Sequence, residues 1–128
     1  MEYTLIYKTK EFVSLTKKTN LSDTSLVDAC NEIAAGLFDA DLGGNVYKKR
    51  IATGHRGKSA GYRTIIGANI GNKYFFLYAF SKKTKANISA SEKLALKEIA
   101  MTFLNFTQAE IDTLIEDGEL FIVGGDYE

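Results

Sequence analysis

The sequence predicts an α+β fold: a small antiparallel (mixed-edge) β-sheet, helices packed on one face, and an additional C-terminal helical pair. Three observations predict it. Strand-like segments follow one another closely between residues 46 and 80, so neighbouring strands are expected to pair antiparallel. Helical segments with recognisable caps lie before and after them. A chain of 128 residues, 45% of them apolar, is expected to form one domain, residues 1–128.

The first third of the chain predicts one strand and two helices. Residues 2–7 alternate polar and apolar side chains, as a strand does. Thr9 is a suitable cap for a short helix ending near residue 19, and Ser22 for a second helix that Gly36 ends. The second helix carries a predicted buried stripe at spacings of three and four, namely Leu26, Val27, Cys30, Ile33, Ala34 and Leu37.

The middle of the chain predicts a turn-rich connection and then three consecutive strands. The connection spans residues 39–45, and the strands span residues 46–52, 62–69 and 74–80. Gly71 and Asn72 indicate a hairpin between the last two strands. The third strand is apolar on both faces, so we expect a central strand with helices on one side and loops or a ligand on the other.

The last third predicts two helices and a short edge strand. Ser89 with Glu92, and Thr107 with Glu110, have the spacing of a capping box, in which each side chain bonds the other's backbone N–H. The first of these helices has a predicted buried stripe of Leu96, Ile99, Ala100 and Phe103. Gly118 ends the second helix, residues 120–123 form the expected strand, and residues 124–128 are expected to form a frayed tail.

The charges are strongly segregated along the chain, although the net charge is zero. Residues 42–91, called the basic window below, contain no Asp or Glu and carry ten cationic side chains: Lys48, Lys49, Arg50, Arg56, Lys58, Arg63, Lys73, Lys82, Lys83 and Lys85. A basic pole of this kind attracts phosphates. The alternative is that acids from elsewhere fold back beside these strands and neutralise them.

Several classes of site are disfavoured by composition. The single cysteine, Cys30, has no internal disulfide partner and is expected to be a buried structural thiol. The single histidine, His55, cannot build a His-rich metal site, and no cofactor is expected. No apolar run approaches the ~20 residues of a membrane span, and the N-terminus lacks a signal-peptide layout, so we expect a cytoplasmic protein.

The three central strands gather the cations of the basic window. Alternation puts Lys48 and Arg50 on one face of the first strand and Lys49 on the other. Arg63 begins the second strand, where a partly buried guanidinium needs an anion that the window does not supply. Lys82 and Lys83 follow the third strand.

A nine-residue loop, residues 53–61, joins the first two strands and carries His55, Arg56 and Lys58. Its glycines at 54, 57 and 61 would let the backbone approach a phosphate. Tyrosines interleaved with the cations, Tyr62 and Tyr78 among them, could stack on bases. These cations and tyrosines also have an ordinary structural explanation, because strand aromatics usually lie in the core and lysine-rich turns are usually solvated surface.

The residues from 48 onward have a familiar order: Lys48-Lys49-Arg50, then 57–66 (GKSAGYRTII), then 74–80 (YFFLYAF), then 86–89 (ANIS). In this order they closely resemble the RelE/HigB group of bacterial type II toxins, within the RelE/ParE superfamily. The resemblance extends over nearly the whole chain, including residues 39–44 and 118–120. It implies a RelE-like fold.

The resemblance also implies an activity: cleavage of ribosome-bound mRNA, in which a 2′-hydroxyl attacks the adjacent phosphate and leaves a 2′,3′-cyclic phosphate and a 5′-hydroxyl. Such sites use Lys, Arg and sometimes Tyr as base, phosphate donors and acid. Carried over by position, the expected catalytic residues are Lys48, Arg50, Arg63 and Lys83. The expected RNA-binding residues are Lys49, His55, Arg56, Lys58, Tyr62, Tyr78, Lys82 and Lys85.

The expected partners are mRNA on the ribosome and a cognate antitoxin, in this group often a small helix-turn-helix protein. The chain departs from the group because residues 86–88 (ANI) occupy the region of the C-terminal tyrosine that some relatives use, so Tyr62, Tyr78 or His55 would have to substitute. Two alternatives stay open: a ParE-like toxin that inhibits DNA gyrase without cutting RNA, and an RNA-binding domain without catalysis.

Overall fold

A six-stranded mixed sheet organises the chain, and the computed structural model describes residues 4–19, 21–52 and 61–124 of it. The strands are β1 (Leu5–Thr9), β2 (Ala40–Gly43), β3 (Val46–Ile51), β4 (Tyr62–Asn69), β5 (Lys73–Ser81) and β6 (Leu120–Ile122). The helices are α1 (Lys10–Thr16), α2 (Asp23–Ala34), α3 (Ala90–Leu104) and α4 (Gln108–Glu116). The predicted α+β class is confirmed.

The strands lie in the order β2-β3-β4-β5-β1-β6. The predicted meander is confirmed, since β3, β4 and β5 pair antiparallel in sequence. β1 then pairs parallel with β5, and β6 pairs antiparallel with β1 at the edge. The opposite edge strand, β2, was missed because its four residues were predicted as part of a turn-rich connection. Positive φ angles at Gly43, Gly44 and Asn45 make the tight turn into β3 that brings these residues into the sheet.

Helices α1 and α2 cover one face of the sheet. Both predicted caps are confirmed: the side chain of Thr9 accepts from the N–H of Phe12, and that of Ser22 accepts from the N–H of Ser25. Leu26, Cys30 and Ile33 of α2 pack with Phe12 against the sheet. The predicted stripe is wrong at its last two members: Ala34 is exposed, and Leu37 lies beyond the end of α2 and is 60% exposed.

Helices α3 and α4 cover the other face, where loops or a ligand were expected. Both predicted capping boxes are confirmed, and each helix begins one residue after its cap. Leu96 and Ala100 of α3 and Ile111 of α4 pack against the sheet. Gly67 lets α3 approach closely, since a Cβ there would lie 2.9 Å from the Cβ of Ala100. Ile99, predicted to be buried, is 42% exposed because only part of the α3 stripe meets the sheet.

None of the helices in the described part of the chain is both long and apolar enough to cross a membrane.

A β-bulge in β5 decides which side chains face α3. Ile65 pairs with Tyr78 and Ile66 pairs with Phe76, so Leu77 is an extra residue on β5. Leu77 and Tyr78 therefore both face α3 and pack with the same core cluster. Without the bulge, strict alternation would put Tyr78 on the opposite face from Leu77. The bulge thus brings the Tyr78 hydroxyl to the face that carries the cations.

Candidate phosphate-binding site

Two arginines lie directly opposite each other on adjacent strands. Arg50, near the end of β3, pairs with Arg63 at the start of β4, and Arg63 pairs in turn with Phe80 of β5. All three face α3, at the end of the sheet farthest from the β4–β5 hairpin. Side chains opposite each other in an antiparallel pair have Cβ atoms about 4.5–5.5 Å apart, and like charges in this position repel. An anion bound between the two guanidinium groups would remove that repulsion.

Both guanidinium groups contain buried N–H donors without a hydrogen-bond partner among the described residues. These are Nε of Arg50 and Nη1 of Arg63. An unsatisfied buried donor costs about 1–3 kcal/mol, and more when the group is charged. Guanidinium N–H groups are suited to donate to phosphate oxygens, so a phosphate bound on this face would supply the partners.

Lys48 lies one row further along the same face. It pairs with Ile65 across β3 and β4, and Ile65 pairs with Tyr78. The Nζ of Lys48 donates a hydrogen bond of 3.3 Å to Oδ1 of Asn87, which also accepts the N–H of Ile88. Asn87 is neutral, so it orients the ammonium group without cancelling its charge. Lys48, Arg50 and Arg63 together are called the basic face below.

A side-chain triad borders the basic face at the beginning of α3. Nζ of Lys85 donates to Oη of Tyr78 at 3.1 Å and forms an ion pair with Oε2 of Glu92. Oη of Tyr78 lies 3.5 Å from the same carboxylate oxygen. The other carboxylate oxygen of Glu92 accepts the N–H of Ser89, which is its half of the capping box. Glu92 thus joins the helix cap to the two residues beside the basic face.

The contacts within the triad shift the pKa values of Lys85 and Glu92 so that both charged forms are favoured. The hydrogen bond from Lys85, with that from the Ser89 backbone, lowers the pKa of Glu92 to about 2. The hydrogen bonds to Glu92 and Tyr78 raise the pKa of Lys85. Glu92 is therefore a carboxylate and Lys85 an ammonium across the physiological range. Neither is suited to act as a general base at neutral pH.

Acids from outside the basic window neutralise some of its cations. Glu32 pairs with Lys49 at 2.6 Å, Asp39 lies 3.9 Å from Nε of Arg50, and Glu92 pairs with Lys85. Within the described part of the chain, no carboxylate lies within ion-pair distance of Lys48 or Arg63. The neutralisation expected as the alternative is thus partial, and it leaves positive charge concentrated on the basic face.

Lys49 faces away from the basic face. Its side chain points towards α2, is 6% exposed, and donates at 2.9 Å to the carbonyl oxygen of Leu37. The assignment of Lys49 to RNA binding is corrected, because alternation along β3 buries it on the opposite side of the sheet. Tyr62, also assigned to RNA binding, packs against the core cluster on that same side.

The remaining predicted residues divide into two groups. Lys82 and Lys83 are exposed in the turn that follows β5. Lys85 comes directly after this turn and is a member of the triad. His55, Arg56 and Lys58 lie outside the described residues, as do Gly54 and Gly57. Gly61 is among the described residues and lies against the backbone at the end of β3, not against a free space for a ligand. A Cβ there would lie 2.1 Å from the carbonyl oxygen of Ile51, so only glycine fits at this end of the β3–β4 pair.

Asn87 and Glu92 are site residues that the sequence analysis did not identify. Glu92 was recognised only as half of a capping box, although its second carboxylate oxygen was free for another partner. The presence of five lysines and a tyrosine within 15 residues of it, Lys85 and Tyr78 among them, was the available signal. Asn87 offered no comparable signal, because its contact with Lys48 joins residues 39 positions apart.

An apolar cavity of about 500 Å³ adjoins the triad but is chemically distinct from the basic face. Leu77, Leu96, Ile99, Phe103 and Leu114 form most of its wall, and Tyr78 and Glu92 lie at its margin. Such a lining does not suit a phosphate. Among the described residues, no group of three or more His, Cys, Asp or Glu side chains is placed to hold a metal ion.

Comparison with known proteins supports a family assignment. A search of curated proteins found no match. A family model described as the RelE toxin of the RelE/RelB toxin-antitoxin system matches residues 4–123. This range contains all six strands, all four helices and the whole of the basic face. The chain therefore belongs to the RelE toxin family.

Proposed function

We propose that this member of the RelE toxin family is an endoribonuclease that cuts mRNA on the ribosome and so arrests translation. The observation that carries the proposal is the opposed pair Arg50 and Arg63, with a buried N–H on each guanidinium group that has no hydrogen-bond partner among the described residues. Two such groups on adjacent strands suit one phosphate, because each can donate to a different phosphate oxygen.

The proposed reaction is attack of a 2′-hydroxyl on the adjacent phosphorus. The O2′–P bond forms, the P–O5′ bond breaks, and the products are a 2′,3′-cyclic phosphate and a 5′-hydroxyl. One proton leaves the 2′-oxygen and one is delivered to the 5′-oxygen, so charge is balanced. The phosphorane-like transition state gains negative charge on its non-bridging oxygens, which fixed cationic donors stabilise more than they stabilise the ground state.

We assign roles to the residues of the basic face accordingly. Arg63 and Arg50 hold the scissile phosphate. Lys48, in its neutral amine form, is our candidate for the group that receives the 2′-OH proton, because it shares their face and its hydrogen-bond partner among the described side chains is the neutral Asn87. Tyr78 takes the place of the tyrosine that some relatives carry in the region of residues 86–88, and Lys83 remains the predicted residue on the leaving-group side. Lys82 and Lys83 would contact the phosphates that follow.

The proposed partner that controls this activity is an antitoxin, as the RelE/RelB description of the family implies. We expect a small helix-turn-helix protein. Neither a metal ion nor a cofactor enters the proposed reaction, because the positive charges of the chain supply the phosphate contacts.

The main rival function is inhibition of DNA gyrase by a ParE-like toxin. The convergence of Lys48, Arg50 and Arg63 on one sheet face favours the nuclease, because docking on a protein does not need cations gathered around one phosphate. The second rival is an RNA-binding domain without catalysis. It would use the same phosphate contacts but would leave RNA uncut.

Induction of the protein in cells that lack its antitoxin separates the three functions. The 5′ ends of messages, the rate of translation and the integrity of DNA are followed together over the first minutes. We expect rapid translation arrest with new message ends inside codons of translated reading frames. DNA damage without new message ends would support gyrase inhibition, and arrest with intact messages would support binding without catalysis. Either result would refute the nuclease.

A further inference from the structure

The triad of Tyr78, Lys85 and Glu92 has a feature that the phosphate contacts do not explain. Glu92 uses its two carboxylate oxygens for different purposes. Oε1 accepts the N–H of Ser89 at 2.7 Å, and the N–H of Glu92 donates to Oγ of Ser89 at 3.1 Å. Oε2 is directed to Lys85 and Tyr78. The carboxylate is therefore fixed to a helix end before it meets the two residues beside the basic face.

The N-terminal end of α3 is an electrostatically favourable place for the Glu92 carboxylate. A carboxylate in the first turn interacts favourably with the positive end of the helix dipole. The capping box holds its side chain in one conformation, so Oε2 presents a fixed anchor to a flexible lysine. The lysine side chain alone has rotamer entropy that must be lost when it is ordered. Glu92 orders it in the free protein.

The ordered Lys85 in turn determines what Tyr78 can do. Nζ of Lys85 donates to Oη of Tyr78 at 3.1 Å, so the phenol oxygen acts as acceptor in that bond. Its own hydrogen is directed to Oε2 of Glu92 across 3.5 Å, the outer limit of a hydrogen bond, so a phosphate oxygen at a shorter distance would be the better acceptor. The bulge at Leu77 has already put this hydroxyl on the face that carries Arg63.

We propose that Glu92 is a positioning residue of the active site, which holds the Lys85 ammonium and the Tyr78 hydroxyl as donors towards RNA bound on the basic face. This inference rests on the proposed nuclease function and deepens it. Glu92 does not touch the reacting atoms. It acts through Lys85 and Tyr78, which together offer one N–H and one O–H to the phosphate as negative charge develops.

The chain offers a matched pair of variants to test this role. Glu92→Gln keeps a side-chain oxygen for the Ser89 N–H, because glutamine also serves in a capping box, but it removes the negative charge that holds Lys85. Glu110→Gln makes the same change in the capping box of α4, where Thr107 and Glu110 form the equivalent hydrogen bonds. Any effect of the cap alone is thus common to both variants.

The test measures single-turnover cleavage of a defined message on ribosomes, with toxin binding to the ribosome measured separately. We expect Glu92→Gln to cleave about tenfold or more slowly at unchanged binding, a smaller loss than the roughly 10²–10⁴-fold that removal of a general acid or base costs. Glu110→Gln should cleave like the wild type. If Glu92→Gln is as fast as Glu110→Gln, or both are slowed equally, the positioning role is refuted.

A spectroscopic readout tests the coupling without RNA. Titration of the lysine side-chain carbon next to Nζ by NMR reports the pKa of Lys85, which hydrogen bonding to Glu92 raises. Glu92→Gln should lower this pKa towards the ordinary lysine value, whereas Glu110→Gln should not change it. An unchanged Lys85 pKa in Glu92→Gln would refute the coupling. A wild-type protein that cuts no message would instead refute the proposed nuclease, so the two failures are distinguishable.

Discussion

Lys48 and Lys49 are adjacent in the chain, but they lie on opposite faces of β3. Lys48 is on the basic face with its ammonium hydrogen-bonded to the side chain of Asn87. Lys49 is buried under α2 and bonded to Glu32 and the Leu37 carbonyl. The same residue type thus has two environments, one open to a phosphate and one enclosed by protein.

Alanine substitution of each lysine should separate activity from stability. Lys48→Ala should lower the rate of message cleavage by about 10²-fold or more, as expected for a proton-transfer residue, with a stability change within about 0.5 kcal/mol. Lys49→Ala should lower the free energy of unfolding by about 1–3 kcal/mol, because it removes the donor to the Leu37 carbonyl and the partner of Glu32. Its cleavage rate per folded molecule should be unchanged.

Urea unfolding and single-turnover cleavage check this pair, and each variant is the control for the other. Loss of cleavage in folded Lys49→Ala, with normal cleavage in Lys48→Ala, would show that Lys49, and not Lys48, is the lysine that acts in cleavage.

Individual residues were predictable where one local rule was sufficient. Arg63 stood out because it begins a central strand in a window without acids. Alternation places Lys49 on the face opposite Lys48, yet the family resemblance includes it among the expected RNA-binding residues. The pairing of Lys49 with Thr64 and the bond from its ammonium to the Leu37 carbonyl show which side of the sheet it faces. Both depend on residues distant in sequence.

Element boundaries were predictable where they are set by local capping. Ser22, Ser89 and Thr107 cap the helices that they were predicted to cap, and Gly36 and Gly118 have the positive φ of a C-terminal stop. The short strand β2 and the bulge at Leu77 were missed. Their geometry is set by cross-strand partners, and nothing in the local sequence marks an extra residue in an apolar strand.

The contact between α3 and β4 gives a prediction about elements. Gly67→Ala should lower the free energy of unfolding by about 1–3 kcal/mol, because the added Cβ would meet that of Ala100 at 2.9 Å and overpack the interface. Ala100→Gly alone should cost about 1 kcal/mol or more through helix propensity and lost packing. The double variant should be less destabilised than the sum of the two, since the second change removes the clash.

A double-mutant cycle by urea unfolding measures this coupling. Strictly additive costs would show that α3 does not rest on Gly67, and the placement of α3 over this face would have to be abandoned.

At the scale of the whole molecule, the charge segregation has a structural outcome. The basic window supplies β3, β4, β5 and the turn that follows, so most of its described cations lie towards one end of a single sheet, with Lys73 at the other end. The acid-rich last third supplies α3, α4 and β6, and among the described residues only Glu92 of this third forms an ion pair with the basic window. The sequence therefore predicted a basic pole on the meander.

The placement of the C-terminal helices was not predictable in the same way. The two capping boxes and the apolar stripe predicted α3 and α4 but gave no indication of which sheet face they would cover. That choice depends on tertiary packing, in which Gly67 opposes Ala100 and Leu77 opposes the α3 stripe. The consequence for function is that α3 covers part of the sheet face that carries Lys48, Arg50 and Arg63, and that Glu92 in its first turn contacts Lys85.

Cleavage of a defined message on purified ribosomes tests the central claim, that the opposed arginines hold the scissile phosphate. Wild type is compared with Arg63→Ala and with Lys73→Ala, which removes a basic-window cation at the opposite end of β5. The account predicts cuts ending in a 2′,3′-cyclic phosphate, a rate lowered about 10²–10³-fold in folded Arg63→Ala, and an unchanged rate in Lys73→Ala. Cleavage by Arg63→Ala at the wild-type rate would contradict it.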